Sequence, residues 1–235
     1  MKLPDDDAGN IDLIRTHGLT VSNCVPTVPS FLPLAIPGME GRPDTEARID
    51  AICASIRRLA AYEPECVVCL SGPLGGRSGA EGRVIVVDGL CRAAAAATEA
   101  GVRLGFEPIH PAQRDTAGFV TSLGAALTLL DEADAADVGI MGDTFNLGHV
   151  ATDEIVAVAG RLTGLHVADE LPEPVPGVRA LAERGGRSAE LIAALRAAGW
   201  DGTLDVEIFS TPDAFWALPV EEAARRAYAA SSALS

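Results

Sequence analysis

Four polar residues in the second half of the chain are of the types that bind divalent metal ions and transfer protons. They are Glu107 in LGFEPIHP, Asp143 in GIMGDTFN, His166 in LTGLHVADE and Glu207 in LDVEIFS. Each one lies at or near the end of a short apolar run that is typical of a buried strand. Three carboxylates and one imidazole form an oxygen-rich ligand set, which favours Mn²⁺, Mg²⁺ or Co²⁺ over a thiolate-bound zinc ion.

Each of these residues also has an ordinary structural interpretation. A glutamate that ends a strand is often a solvated loop residue. Asp143, which precedes Thr-Phe, is suited to an Asx-turn. A single histidine in an apolar strand is usually a hydrogen-bonded core group. The functional interpretation is favoured because all four residues occupy the C-terminal ends of consecutive strands, where barrel enzymes have their active sites.

Strands alternate with helices along the chain. Apolar runs predict strands over 19–24, 66–70, 102–108, 138–144, 162–169 and 203–209. Helical spacing and capping residues predict helices over 10–17, 45–61, 87–100, 119–131, 152–161 and 188–198, and a last helix from about Pro219. Thr152 and Ser188 are the expected N-caps of two helices, and Gly101 is expected to end a third. This alternation is typical of parallel βα units.

The alternation favours one (β/α)₈ TIM-barrel domain over residues 1–235. The segments after the strands are long, at 25–43, 71–82 and 170–187, which is expected of a barrel whose working face lies at the strand C-termini. Only six strands are predicted, so we expect a truncated barrel with an open seam. The first β-α-β, about 35–50 residues at roughly 30 residues per βα unit, would then be missing.

Composition excludes some classes of partner. The 33 acidic residues outnumber the 18 basic ones, for a formal charge of −15, which argues against nucleic acid. No apolar run is long enough to cross a membrane and no signal peptide is apparent. Five cysteines, an odd number, favour a reducing cytoplasm. Cys66 and Cys69 form a CxxC within a predicted strand, so their side chains should lie on opposite faces and serve a structural role.

Several motifs resemble those of a known family. E-P-I-H-P, D-T-F, H-V-A-D and G-T-L-D-V-E-I-F-S look like signatures of the xylose isomerase-like TIM barrel superfamily, the sugar phosphate isomerase/epimerase family. The resemblance runs from about Gly18 to the end of the chain. It implies that the four strand-end residues bind the metal, and that Glu107 and Glu207 act as an acid–base pair through a metal-stabilised enediolate. It further implies a small sugar or keto-polyol as substrate, and association into a homo-oligomer.

The chain departs from the family pattern where the substrate would bind. Asn146 stands where sugar epimerases of this family usually have histidine, and His149 either replaces that histidine or is a loop residue. His110 follows Glu107 by three residues, and a supporting or loop position is its favoured interpretation. The family often has an arginine shortly after H-V-A-D, and Arg179, Arg184 and Arg187 are the candidates here, although a solvated position is favoured for each. Arg179 joins His110, Asn146 and His149 in the candidate substrate-binding set.

Other functions remain open at this level. A dehydratase of the inosose or dehydroshikimate type would use the same metal and base, and a degenerate barrel would be non-catalytic. An endonuclease IV-like enzyme is disfavoured, because it needs several metals, more histidines than four, and a basic groove. The glycine-rich segment 71–82 could cradle a phosphate with Arg77, but a flexible lid is the favoured interpretation.

Overall fold

The computed structural model describes residues 6–175 and 177–234. Six parallel strands form one curled sheet in the order β1-β2-β3-β4-β5-β8. Their bounds are β1 Asn23–Cys24, β2 Cys66–Leu70, β3 Leu104–Glu107, β4 Gly139–Asp143, β5 Leu162–Val167 and β8 Leu204–Val206. A separate antiparallel hairpin, β6 Asp169–Glu170 and β7 Arg179–Ala180, follows β5. The expected TIM-barrel architecture with six of its eight strands is confirmed.

Seven α-helices lie in the described part of the chain. They are α1 Asp7–Thr16, α2 Thr45–Leu59, α3 Gly79–Ala100, α4 Leu123–Glu132, α5 Thr152–Ala157, α6 Arg187–Ala197 and α7 Val220–Ser232. The main core lies between the sheet and these helices, where Ile52, Leu90 and Leu130 are fully buried. None of the described helices combines the length and apolarity that a membrane-spanning helix needs.

Helix α3 begins at Gly79, well before the predicted start at residue 87. The reason is a capping box. The Ser78 hydroxyl accepts a hydrogen bond from the Glu81 N–H at 3.2 Å, and the Glu81 carboxylate accepts one from the Ser78 N–H at 2.8 Å. The last part of the glycine-rich segment is therefore helical and not part of a flexible lid. Gly101 ends the helix with φ +70°, as predicted.

The predicted N-caps of α5 and α6 are wrong. Ala151 and Gly186 occupy those positions, and Thr152 and Ser188 lie in the first turns. The Asp169 carboxylate accepts a hydrogen bond from the Ser188 N–H at 2.9 Å, so it caps α6 from a distant part of the chain. Propensity at a single position could not reveal this, because the capping oxygen comes from the loop after β5.

The faces to which the side chains of β5 point depend on an irregularity in its pairing with β4. The register shifts between Ile140 and Met141. Leu162 and Leu165 consequently both join the core between sheet and helices, although they are three residues apart. Regular alternation would place them on opposite faces. The shift lets His166 point to the inner face at the end of the strand.

The two edge strands come close without pairing. The sheet places β1 and β8 at its edges, and no backbone ladder joins them among the described residues. Asp205 in β8 accepts hydrogen bonds from the Ser22 hydroxyl and, at 2.9 Å, from Asn23 Nδ2. The expected open seam is therefore present in the backbone, but side chains connect its two sides.

Candidate metal centre

The four strand-end residues meet at the C-terminal edge of the sheet. Glu107 and Asp143 are the last residues of β3 and β4, His166 is paired directly with Asp143, and Glu207 follows β8. One ligand atom from each lies within 4.8 Å of the others. Glu107, Asp143 and His166 are buried, whereas the side chain of Glu207 is 31% exposed. The sequence-predicted cluster thus assembles because parallel register brings equivalent strand ends together.

Asp143 forms an Asx-turn and also belongs to the candidate ligand cluster, the two roles that its sequence context allowed. Its Oδ1 accepts hydrogen bonds from the backbone N–H groups of Phe145, at 2.8 Å, and Asn146, at 3.2 Å. This is the Asx-turn. Its Oδ2 faces the cluster, where the Asn146 side chain lies 3.1 Å away. The turn orients the carboxylate and directs Oδ2 toward the other candidate ligands.

Asn146 holds two of the candidate ligands in place. Its Nδ2 donates to Glu107 Oε1 at 2.9 Å and to Asp143 Oδ2 at 3.1 Å. Its Oδ1 accepts from the backbone N–H of His110 at 3.1 Å. The side chain is buried, and all of its described bonds lead to the cluster or its supporting loop. These contacts orient Glu107 and Asp143 relative to each other.

Arg179 is part of the cluster, and its favoured interpretation as a solvated residue was wrong. The hairpin places it at the start of β7 with 7% exposure. Its Nη1 lies 2.8 Å from Asp143 Oδ2 and also bonds Glu207 Oε2. The guanidinium carbon Cζ lies 4.8 Å from the centroid of the Phe145 ring and 4.9 Å from that of Phe209. Loop spacing could not predict this position, because it depends on how the hairpin folds back over the sheet.

The two loop histidines lie outside the cluster. His110 and His149 line a neighbouring cavity of about 680 Å³, and their ring centroids are 5.3 Å apart. His110 Nδ1 accepts from the Ala112 N–H at 3.2 Å, and its Nε2 is 4.0 Å from Glu170. Arg184 and Arg187 line the same cavity. His149 therefore does not take the place that Asn146 occupies beside the ligands.

Electrostatics in the cluster favour a cation. Burial raises the pKa of Glu107 to about 7. Burial lowers the pKa of His166, but the nearby carboxylates of Glu107, Glu207 and Asp143 more than offset this and raise it to about 10. His166 Nδ1 lies 3.7 Å from Glu107 Oε1 and 3.5 Å from Glu207 Oε2, and it has no hydrogen-bond partner within the described chain.

A buried polar atom without a partner is costly, and three close carboxylates repel one another. Arg179 supplies one compensating charge, and His166 supplies a second only while it is protonated. A divalent ion among these oxygens and this nitrogen would remove the deficit. The donor set therefore fits a metal ion on its own chemistry.

Comparison with known proteins identifies the family of this chain. The sequence matches the family described as Xylose isomerase-like TIM barrel over residues 11–232. The chain belongs to the xylose isomerase-like TIM-barrel family. No curated protein sequence is significantly similar to it.

Solved structures share the fold of this xylose isomerase-like barrel. A protein of Sinorhizobium meliloti 1021 is 24% identical with a TM-score of 0.78, over 94% of this chain and 81% of the other. The IolI protein with a bound zinc atom is 16% identical with a TM-score of 0.73, over 97% and 82%. A 3-keto-D-glucoside 4-epimerase of E. coli is 17% identical with a TM-score of 0.69, over 96% and 84%.

The cluster of this xylose isomerase-like barrel opens into a cavity of about 450 Å³. Glu107, His166, Arg179 and Glu207 contribute its charged surface. Apolar side chains form most of the remaining wall, and they include Leu34, Ile36, Met39, Ile109, Val178, Phe209 and Trp216. A polar patch surrounded by apolar walls is the usual form of a small-molecule site.

Proposed function

We propose that the protein is a divalent-metal-dependent isomerase or epimerase that acts on a small sugar or keto-polyol. The observation that carries this proposal is the convergence of Glu107, Asp143, His166 and Glu207, whose ligand atoms lie within 4.8 Å of one another. Three oxygen donors and one nitrogen donor suit Mn²⁺, Mg²⁺ or Co²⁺, and zinc is also a candidate because the IolI structure contains it.

Glu107 and Glu207 are the proposed acid–base pair. Glu107 ends β3 and Glu207 follows β8. These strands lie on opposite sides of β4 and β5 in the sheet, so the two carboxylates enter the cluster from different directions. Burial raises the pKa of Glu107 in the metal-free cluster, which makes its carboxylate a stronger proton acceptor than a solvated glutamate. When bound, a divalent ion would act as a Lewis acid on a substrate carbonyl and make the neighbouring carbon more acidic.

The cavity supports a substrate of monosaccharide size. Its volume of about 450 Å³ lies within the range of small-molecule sites. The apolar walls from Met39, Phe209 and Trp216 would exclude water from a carbanion-like intermediate and pack against C–H groups of the substrate. Structural likeness to a 3-keto-D-glucoside 4-epimerase and to a D-psicose 3-epimerase with D-tagatose supports a ketose or keto-sugar as the class to test first.

Metal analysis tests the centre directly. Wild type, Glu207→Gln and His166→Ala are stripped with a chelator, re-equilibrated with Mn²⁺ and desalted, and their bound metal is measured by elemental analysis. We expect about one ion per wild-type chain and a loss of at least tenfold in affinity in each variant, because each removes one of four ligands. Glu183→Gln and His17→Ala are the matched controls, since both residues lie outside the cluster. Equal metal content in all five proteins would refute the centre.

Product analysis tests the reaction. The Mn²⁺-loaded protein is incubated with a panel of ketoses and keto-polyols in D₂O, and the products are followed by mass spectrometry and NMR. Epimerisation or isomerisation exchanges a carbon-bound hydrogen and otherwise conserves mass. Loss of 18 mass units would identify the dehydratase alternative instead. Metal binding without exchange in any substrate would favour the non-catalytic barrel.

A further inference from the structure

Arg179 occupies oxygens that a metal ion would need. Its Nη1 is 2.8 Å from Asp143 Oδ2 and bonds Glu207 Oε2, and both residues belong to the four-ligand cluster. The guanidinium is nearly buried, so the contact is not weakened by solvent. One nitrogen therefore bridges two of the carboxylates that would bind the cation.

The charge of Arg179 both stabilises the cluster and opposes metal binding. Glu107, Asp143 and Glu207 carry three negative charges when ionised. Arg179 balances one of them, and His166 balances a second when it is protonated. His166 can bind a metal ion only as the neutral imidazole. A divalent ion together with Arg179 would neutralise the cluster completely. However, a guanidinium in direct contact with two ligands also repels an incoming cation, and arginine stays protonated at every pH at which proteins are folded. This competition therefore cannot be relieved by deprotonation.

Two aromatic rings give the guanidinium a second source of stabilisation. Arg179 Cζ lies over the rings of both Phe145 and Phe209, 4.8 and 4.9 Å from their centroids. Cation–π contacts of this kind persist when a carboxylate partner is lost. Arg179 Nε has no hydrogen-bond partner among the described residues, so no bond to Nε opposes a rotation of the guanidinium over the rings. Withdrawal from one carboxylate is consequently less costly than for an arginine held by ion pairs alone.

We infer that Arg179 is an internal competitor of the metal ion and lowers the affinity of the site for divalent cations. It stabilises the metal-free cluster through Asp143 and Glu207, and it must release at least one of them when an ion binds. This inference rests on the proposed metal centre, which it deepens. It assigns to Arg179 control of metal affinity in addition to its predicted contact with substrate.

Calorimetric titration with Mn²⁺, in the absence of substrate, tests the inference. We expect metal-free Arg179→Met to bind Mn²⁺ at least tenfold more tightly than wild type. Arg179→Gln, a second neutral variant, should behave in the same way, and circular dichroism checks that both remain folded. Arg184→Met is the matched control, because no described ion pair joins Arg184 to the cluster. Its affinity should stay within twofold of wild type.

A second measurement does not depend on a variant's stability. The Arg179 Nε–H signal of ¹⁵N-labelled wild type should shift on addition of diamagnetic Mg²⁺ or Zn²⁺, because the guanidinium leaves a carboxylate. Unchanged affinity in both neutral variants, or an unmoved signal on saturation, would overturn the inference and leave the metal centre intact. Weaker binding in the variants would overturn it by showing that Arg179 assists the metal. Absence of binding in every protein would defeat both the inference and the proposed centre, whereas binding in the variants alone would support the inference.

Discussion

At the residue scale, the site depends on side chains that orient the candidate ligands. Asn146 is the clearest case, because one amide contacts Glu107, Asp143 and the backbone of His110. Its position in D-T-F-N indicated a departure from the family pattern, and its contacts show that it orients two candidate ligands. It donates two hydrogen bonds into a cluster that is rich in acceptors.

Asn146→Asp should destabilise the metal-free protein. The change preserves shape, removes both Nδ2–H donors and adds a fourth carboxylate beside Glu107 and Asp143. We expect a loss of about 3 kcal/mol in the free energy of unfolding, from the lost hydrogen bonds and the added repulsion. Urea denaturation with and without Mn²⁺ measures it, and the metal should recover part of the loss. Gln113→Glu, which adds a carboxylate elsewhere on the cavity wall, should change stability by only about 0.5 kcal/mol. Equal effects of the two changes would contradict this account.

At the scale of elements, the proline-rich segment after β1 is held as a fixed wall. Its backbone runs beside the end of β2, with hydrogen bonds from Phe31 N–H to Leu70 at 3.0 Å and from Leu32 N–H to Ser71 at 2.9 Å. Arg48 of α2, which is fully buried, donates to the carbonyl oxygens of Arg42 at 2.9 Å and Ser30 at 3.0 Å, and also to Glu40. One helix side chain thus fastens a loop that lines the cavity.

Arg48→Met should loosen this wall. The substitution keeps most of the side-chain volume but leaves several buried carbonyl groups without a donor. We expect a cost of about 2–4 kcal/mol in unfolding free energy, since hydrogen bonds from charged donors contribute more than neutral ones. Guanidinium denaturation provides the measurement. Arg57→Met, which breaks only an exposed pair with Glu99, should cost less than about 1 kcal/mol. A similar small cost for both variants would show that the loop after β1 keeps its conformation without the hydrogen bonds from Arg48.

At the scale of the whole molecule, the curled sheet divides the interior into two regions. The larger core lies between the sheet and the helices, and a smaller cluster of Cys66, Val68 and Met141 fills the inner face. Cys69 belongs to the larger core, so the two cysteines of the CxxC lie on opposite faces as predicted. All five cysteines are free, and only Cys91 is exposed.

Thiol reactivity should therefore report on global opening of the barrel. One thiol, Cys91, should react rapidly with an aromatic disulfide reagent at pH 8. Burial raises the pKa of Cys24 and of Cys66 to about 11, which leaves roughly one thiolate in a thousand at that pH. The three buried thiols, Cys53, Cys66 and Cys69, should react at the rate of unfolding. The half-buried Cys24 should react slowly because so little of it is thiolate. Cys91→Ser should show no fast phase. Two or more fast thiols in wild type would indicate that the seam between β1 and β8 opens in the native state.

Local patterns were sufficient for the alternation of strands and helices and for the four strand-end residues. Burial of an apolar run, and the polar residue that ends it, are properties of a few neighbouring positions. Glu107, Asp143, His166 and Glu207 then converge because parallel strands share one C-terminal edge. The family resemblance of the motifs adds to this, since each contains one of these residues.

Tertiary structure alone decided the rest of the site. Arg179 lies in a segment after β5 whose residue spacing does not predict where its side chains point. Only the β6–β7 hairpin brings the Arg179 side chain to the cluster. Asn146 and His149 are equally polar and three residues apart, yet the turn at Asp143 buries one and leaves the other in the neighbouring cavity. Side-chain direction outside regular elements is set by contacts distant in sequence, such as Asp169 capping α6, and a single sequence holds no periodic signal for such contacts.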